Sequence, residues 1–151
     1  MKLTGTARLI LDTKKTGLIA VPPDGTVLHA LELMAEHDIG AVIVLDADKP
    51  VGILSERDYA RQVELKGRTA RETRVREIMT TVVVSARPED SVELCNTLMH
   101  RHRIRHLPVV EGDRAVGMLS IRDVLAELVH EEEDRIHELE TERLMIQTGS
   151  Y

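Results

Sequence analysis

The chain has 151 residues, 42% of them apolar and 30% charged, and a formal net charge of −6. That balance excludes a disordered or collagen-like chain, and a single cysteine, Cys95, excludes a disulfide scaffold and fits a reducing compartment such as the cytoplasm. With no Trp, no Phe and only Tyr59 and Tyr151, binding by rows of stacked aromatic rings is excluded too.

In chain order, the opening residues carry a three-residue apolar patch, Leu9, Ile10 and Leu11, cut off by Asp12, Lys14 and Lys15. They do not read as a secretory signal. A β-rich stretch at 18–21 runs into a turn at Pro23. Val27, Leu31 and Met34 then fall on one helical face. The apolar run 41–45 reads as a strand buried on both sides. It belongs to the longest uncharged apolar stretch, 39–45, far short of the about 20 residues that span a bilayer. A polar turn at 46–50 precedes a strand at 51–54 and a helix opening at Ser55. The basic stretch 66–76 is poor in apolar residues and reads as a linker.

The second half repeats the first. A shift of 65 residues lays Pro23 on Pro88, Val27 on Val92, Met34 on Met99, His37 on His102 and Ile39 on Ile104 without a gap. The match continues through Val44 and Val109, Gly52 and Gly117, Ser55 and Ser120, and Asp58 and Asp123. The second copy therefore reads as a β-rich stretch at 82–85, a helix, strands at 107–110 and 116–119, and a helix opening at Ser120. Val92, Cys95 and Met99 share a face of its first helix, where Asp90 and Glu93 have capping-box spacing. The order β-α-β-β-α thus occurs twice. Each unit is small for a core of its own, so the expected fold is α/β (α+β), with two pseudo-symmetric repeats packed through their sheets around one shared core. The expected divisions are repeat 1 at 8–65, the linker at 66–76, repeat 2 at 77–130 and an acidic helical extension at 131–151. In that extension Ile136, Leu139, Arg143 and Ile146 recur at helical spacing, one thin stripe on an acidic helix.

Chemistry concentrates where strand meets helix. Ser55 with Asp58, and Ser120 with Asp123, stand three residues apart at such turns, a spacing that suits a capping box. The same carboxylates can accept hydrogen bonds from both hydroxyls of a ribose. Gly52 and Gly117 lie in strands, where a missing side chain lets another group approach the backbone.

The segments Val51-Gly52-Ile53-Leu54-Ser55-Glu56-Arg57-Asp58 and Val116-Gly117-Met118-Leu119-Ser120-Ile121-Arg122-Asp123 resemble the glycine–hydrophobic–hydrophobic–Ser/Thr–x–x–Asp motif of CBS (cystathionine β-synthase) domains. The resemblance covers residues 8–130 and includes both proline turns. It implies a non-catalytic tandem CBS module that holds adenosine-containing ligands (AMP, ADP, ATP, sometimes NAD(H) or S-adenosylmethionine) between its halves. Such modules commonly pair into disc-shaped homodimers and act on a separate effector protein. In one cleft the resemblance assigns the ribose to Ser120 and Asp123 and the base to Met118. Thr16, Ile39 and Gly40 come from the first copy, with Arg105 and His106 near the phosphate. In the other, Ser55, Asp58 and Ile53 take those parts, with Thr81, Ile104 and Arg105 from the second copy. Gly40 and Ala41 stand where the other copy has Arg105 and His106, so the two clefts are expected to be unequal. Lys14 and Lys15 are further candidates for phosphate charge.

Three other readings have less behind them. The run His100, Arg101, His102, Arg103, Arg105 and His106 suits nucleic-acid phosphates, yet it is short on an acidic protein. Its spacing matches no zinc pattern, so no metal site is expected. No nucleophile with a partnered base and no phosphate-cradling loop marks an enzyme. A structural dimerisation module with idle clefts is the other alternative.

Overall fold

The computed structural model describes residues 5–82 and 84–148. Helix α1 (Ala7–Lys14) leads into β1 (Ala20–Val21), α2 (Val27–His37), β2 (Ala41–Asp46) and β3 (Lys49–Ser55). A short helix α3 (Glu56–Tyr59) continues as a π-helical turn, Ala60–Glu64. Then come α4 (Val75–Ile78), β4 (Thr80–Thr81), α5 (Val92–His102), β5 (His106–Glu111), β6 (Arg114–Ser120) and the long α6 (Ile121–Thr148).

The repeat is visible bond by bond. β2 and β3 pair antiparallel with Ala41 opposite Ser55, and β5 and β6 pair with His106 opposite Ser120, each with a bulge at the same place, after Val44 and after Val109. The first sheet has the order β1-β2-β3-β4. The second contains β5 and β6 and gains a single parallel bridge between Ala86 and Val109. Thr26 and Ser91 cap α2 and α5 by accepting hydrogen bonds from the His29 and Leu94 N–H groups, satisfying donors that helix geometry leaves orphaned. The capping box expected from Asp90 and Glu93 does not form. Ser91, one residue later, is the cap, and Asp90 accepts the Arg87 N–H instead. Both helices end on a left-handed residue, Asp38 or Arg103, immediately after His37 or His102, where an imidazole complements the negative end of the helix dipole.

The halves are interlocked at their leading segments, which trade places. Ala7 and Arg8 at the start of α1 donate to the carbonyls of Asp90 and Pro88 in the second repeat, and Val92 donates back to Gly5. Val75 and Arg76 at the start of α4 donate to Gly25 and Pro23 in the first repeat, and Val27 donates back to Thr73. The buried residues consequently form two clusters rather than the expected single core. One joins Ala7 and Ile10 to Val92, Cys95, Met99, Leu107 and Leu119. The other joins Val75 and Ile78 to Val27, Met34, Val42, Val44 and Leu54. Each core is completed by apolar residues delivered from across the molecule. The second half of the basic stretch 66–76 is accordingly no free tether, since Thr73 and Val75 are buried in the first repeat.

This exchange explains both strand glycines. A Cβ on Gly52 would sit 2.6 Å from the Met79 sulfur, and one on Gly117 would sit 2.6 Å from a Leu11 methyl. The group that approaches each glycine is a side chain from the traded segment. Between the repeats, β3 packs on β6, and the Ala115 N–H donates to the Asp48 carbonyl at 3.2 Å. Among the described residues no helix is long and apolar enough to cross a membrane, and no group of three His, Cys, Asp or Glu could hold a metal.

Candidate functional site: a cleft between the two repeats

At the end of β6 the chain turns into α6 through Ser120. Its hydroxyl accepts the Asp123 N–H at 3.1 Å, while the Asp123 carboxylate accepts the Ser120 N–H at 2.8 Å. Ser55 and Asp58 repeat that reciprocal cap after β3, at 3.1 and 3.0 Å. The capping reading is therefore realised in both copies. It uses one carboxylate oxygen of Asp123 and fixes the side chain at the mouth of a cleft.

That cleft has a volume of about 860 Å³ and lies between the halves, within the roughly 300–1,000 Å³ usual for small-molecule sites. Thr16, Ile39 and Gly40 line it from the first repeat's side. Arg105, His106, Met118, Ser120 and Asp123 line it from the second. All eight positions named for this cleft from sequence converge on it.

Lys14, at the end of α1, reaches the same place. Its ammonium lies 2.8 Å from Asp123 Oδ2 and donates to the Met118 carbonyl at 3.0 Å. Both side chains are largely shielded, 25% and 21% exposed. Burial alone would raise the Asp123 pKa; the Lys14 hydrogen bond and charge, with the Ser120 N–H, outweigh it and hold the carboxyl below its ordinary range. Among the described residues the second oxygen, Oδ1, has no protein partner. His106 is pushed the other way: burial, then the Lys14 charge, lower its pKa, so the imidazole is neutral near pH 7. The cations lining the cleft are Lys14, Arg105 and Arg122, with His106 serving as a neutral hydrogen-bonding group.

The mirror set is arranged differently. β4 pairs with β3, setting Thr80 opposite Ile53 and Thr81 opposite Gly52. The Thr80 hydroxyl donates to Asp58 Oδ1 at 3.4 Å, so the oxygen that capping leaves over is engaged here, whereas at Asp123 the Lys14 ammonium sits on the capping oxygen. Ile53, Ser55, Asp58 and Thr81 thus gather around the β3–β4 edge. Ile104 packs against the second repeat's core, while Ala41 and Arg105 line the 860 Å³ cleft instead. Sequence reasoning undervalued Lys14 and missed His37, Asp38, Glu56 and Arg122, which also line it. Lys14 arrives on the traded α1, and no local sequence signature says which repeat that helix joins.

The family profile of the CBS domain matches twice, over residues 13–64 and 75–130. The chain belongs to the CBS domain family. This CBS pair is 36% identical over 121 residues to the mitochondrial CBS domain-containing protein CBSX3 of Arabidopsis thaliana, covering 77% of the chain and 59% of that protein. It is 36% identical over 115 residues to the CBS domain-containing protein YhcV of Bacillus subtilis, covering 76% and 81%. The chain thus spans under two thirds of the plant relative's length and most of the bacterial one's. A CBS-domain protein from Burkholderia ambifaria superposes with a TM-score of 0.76 at 40% identity, over 83% of this chain and 95% of that one. A hexameric CBS-CP12 protein from bloom-forming cyanobacteria gives 0.76 at 27% identity, over 99% and 92%.

Proposed function

We propose that this CBS pair is a non-catalytic regulatory module that holds an adenine nucleotide (AMP, ADP, ATP or NAD(H)) in the cleft between its repeats. The observation that carries the reading is the convergence of Thr16, Ile39, Gly40, Arg105, His106, Met118, Ser120 and Asp123 on one cleft of about 860 Å³. The ribose is assigned to Asp123, whose Oδ1 is the acceptor that capping leaves over, and to the Ser120 hydroxyl. The base lies between aliphatic groups, Ile39 and Met118, as suits a chain without Trp or Phe. The phosphates face Arg105, Lys14 and Thr16. A ligand that touches both repeats favours the arrangement in which both sets of contacts can be made, and that shift is the signal. The receiver is a separate effector protein. The hexameric relative supports self-association, here through pairing of CBS units. The lone buried Cys95 suits action in the cytoplasm.

The mirror set around Asp58 is assigned a weaker or different nucleotide, because the Thr80 hydroxyl already engages the carboxylate oxygen that Asp123 leaves over. The inosine-5'-monophosphate dehydrogenase of Methanocaldococcus jannaschii is aligned over 21% of its length. That fits a regulatory module borrowed by larger proteins.

The test begins with the protein as purified. With two tyrosines and no tryptophan, bound nucleotide dominates its absorbance near 260 nm, and mass spectrometry after denaturation names the compound. Titration of stripped protein with AMP, ATP and NADH should then give binding that Asp123→Ala weakens by about 1.5–3 kcal/mol. If Asp123→Ala and Asp58→Ala both bind like the parent, the assignment fails. If no adenine nucleotide binds, the structural dimerisation reading takes its place.

A further inference from the structure

Helix α6 is far longer than a CBS cleft requires. Its first turns pack on the second repeat through Val124 and Leu128, and Glu131 accepts the Gly5 N–H at 2.6 Å. From Arg135 to Ile146 every residue is exposed. On the face beside the packed one stand Leu125, Val129, Ile136, Leu139 and Ile146, 46–63% exposed. With Glu132 and Arg143 these residues follow one another at alternating steps of four and three, which is the a/d spacing of a two-helix seam. The seam is apolar except for those two charges.

The charges select a partner and a direction. When a second copy of α6 is laid antiparallel across this face, with the twofold between His137 and Glu138, Val129 meets Ile146, Ile136 meets Leu139, and Glu132 meets Arg143. From Val129 to Ile146 every layer is matched, and the Glu132–Arg143 pair is made twice. In a parallel pair Glu132 would face Glu132 and Arg143 would face Arg143, placing like charges in the seam. On the flanks, Arg135 of one copy lies near Glu142 of the other, while Glu133 and Glu140 oppose each other at the exposed rim, where water and salt screen them. In the single chain the Glu132 carboxylate accepts a hydrogen bond from Arg135, a surface pair that is readily exchanged for Arg143 of the second copy.

We infer that the exposed seam of α6 is a self-docking surface that joins two copies of this chain through an antiparallel helix pair centred between His137 and Glu138. This contact is separate from the cleft and from pairing of the CBS units, and it does not depend on any nucleotide.

Pairing through the repeats would itself keep two chains together, so the decisive readout is the position of a cross-link rather than the mass. Full-length Val129→Cys and Ile146→Cys chains are mixed and oxidised; Cys95 is buried and takes no part. Val129 and Ile146 should form a disulfide between chains, whereas Val129→Cys alone should not, because its two copies lie about 25 Å apart along the pair. Arg143→Glu should weaken the association about tenfold and suppress the mixed cross-link. Adding Glu132→Arg should restore it. Both charge variants lie on an exposed face and should keep the parent's melting temperature. Cross-linking of Val129→Cys with itself, no cross-link in the mixture, or a yield indifferent to Arg143→Glu would each overturn the inference.

Discussion

Asp123 carries two duties that pull on the same carboxylate. One oxygen caps α6 and holds Lys14 at 2.8 Å, and the other is the acceptor assigned to the proposed ligand. Since its folded pKa is lowered, Asp123 contributes stability that is present above the unfolded value of about 3.9 and is lost as pH falls through the folded value. Asp123→Asn should therefore cost stability at pH 7 and progressively less below pH about 4, measured by urea unfolding; a pH-independent difference contradicts the ion pair with Lys14. At Gly52 and Gly117 the constraint is space. Gly52→Ala and Gly117→Ala should each destabilise by about 1–3 kcal/mol, because Met79 or Leu11 must move. Arg103 holds a left-handed φ of 53°, which costs a side-chain-bearing residue about 1–2 kcal/mol. Part of that returns in Arg103→Gly, so thermal unfolding should show a gain of about 0.5–1 kcal/mol.

At the scale of elements, the traded segments obey a repeat of their own. Ala7, Ile10 and Leu11 play the parts of Val75, Ile78 and Met79, a shift three residues longer than the 65 that aligns everything after them. Those three extra residues, between the helix and the first strand of repeat 1, let α1 run on to Lys14 while α4 stops at Ile78. The cleft beside Asp123 has its ammonium because of that local insertion. The gapless 65-residue register stops where the shift changes, so it carries no sign that residues 7–14 are helical or that they pack on the far repeat. A direct check follows. Ile10→Ala should cost about 2–5 kcal/mol and lower hydrogen-exchange protection first in α5 and β5. Ile78→Ala should do the same in α2 and β2. Loss of protection in each residue's own repeat instead would contradict the exchange.

For the whole molecule, trading the segments makes two small cores mutually dependent. Neither repeat keeps its core intact when the other unfolds, because its Ile10 or Ile78 leaves with the partner. Heating should accordingly give a single calorimetric transition whose calorimetric and van't Hoff enthalpies agree, and two resolved transitions would contradict the coupling. A nucleotide in the cleft, binding only the folded chain, should raise that stability by about 2.7 kcal/mol at a hundredfold excess over its dissociation constant. The long α6, half packed and half exposed, gives the same molecule a second means of assembly that leaves the cleft untouched.

By itself the sequence determined the doubled β-α-β-β-α order, the caps at Ser55 and Ser120, and the eight positions now found around one cleft. The order and the caps are written in a local period, a turn or a repeated motif, and the eight positions follow from the resemblance to CBS domains that those motifs carry. Only the tertiary structure decided which helix completes which core, that Lys14 lies beside Asp123, and that Thr80 lies beside Asp58. Those outcomes depend on what packs against what. Burial fixes a charge state, and chain crossing fixes a neighbour, only after distant segments have met.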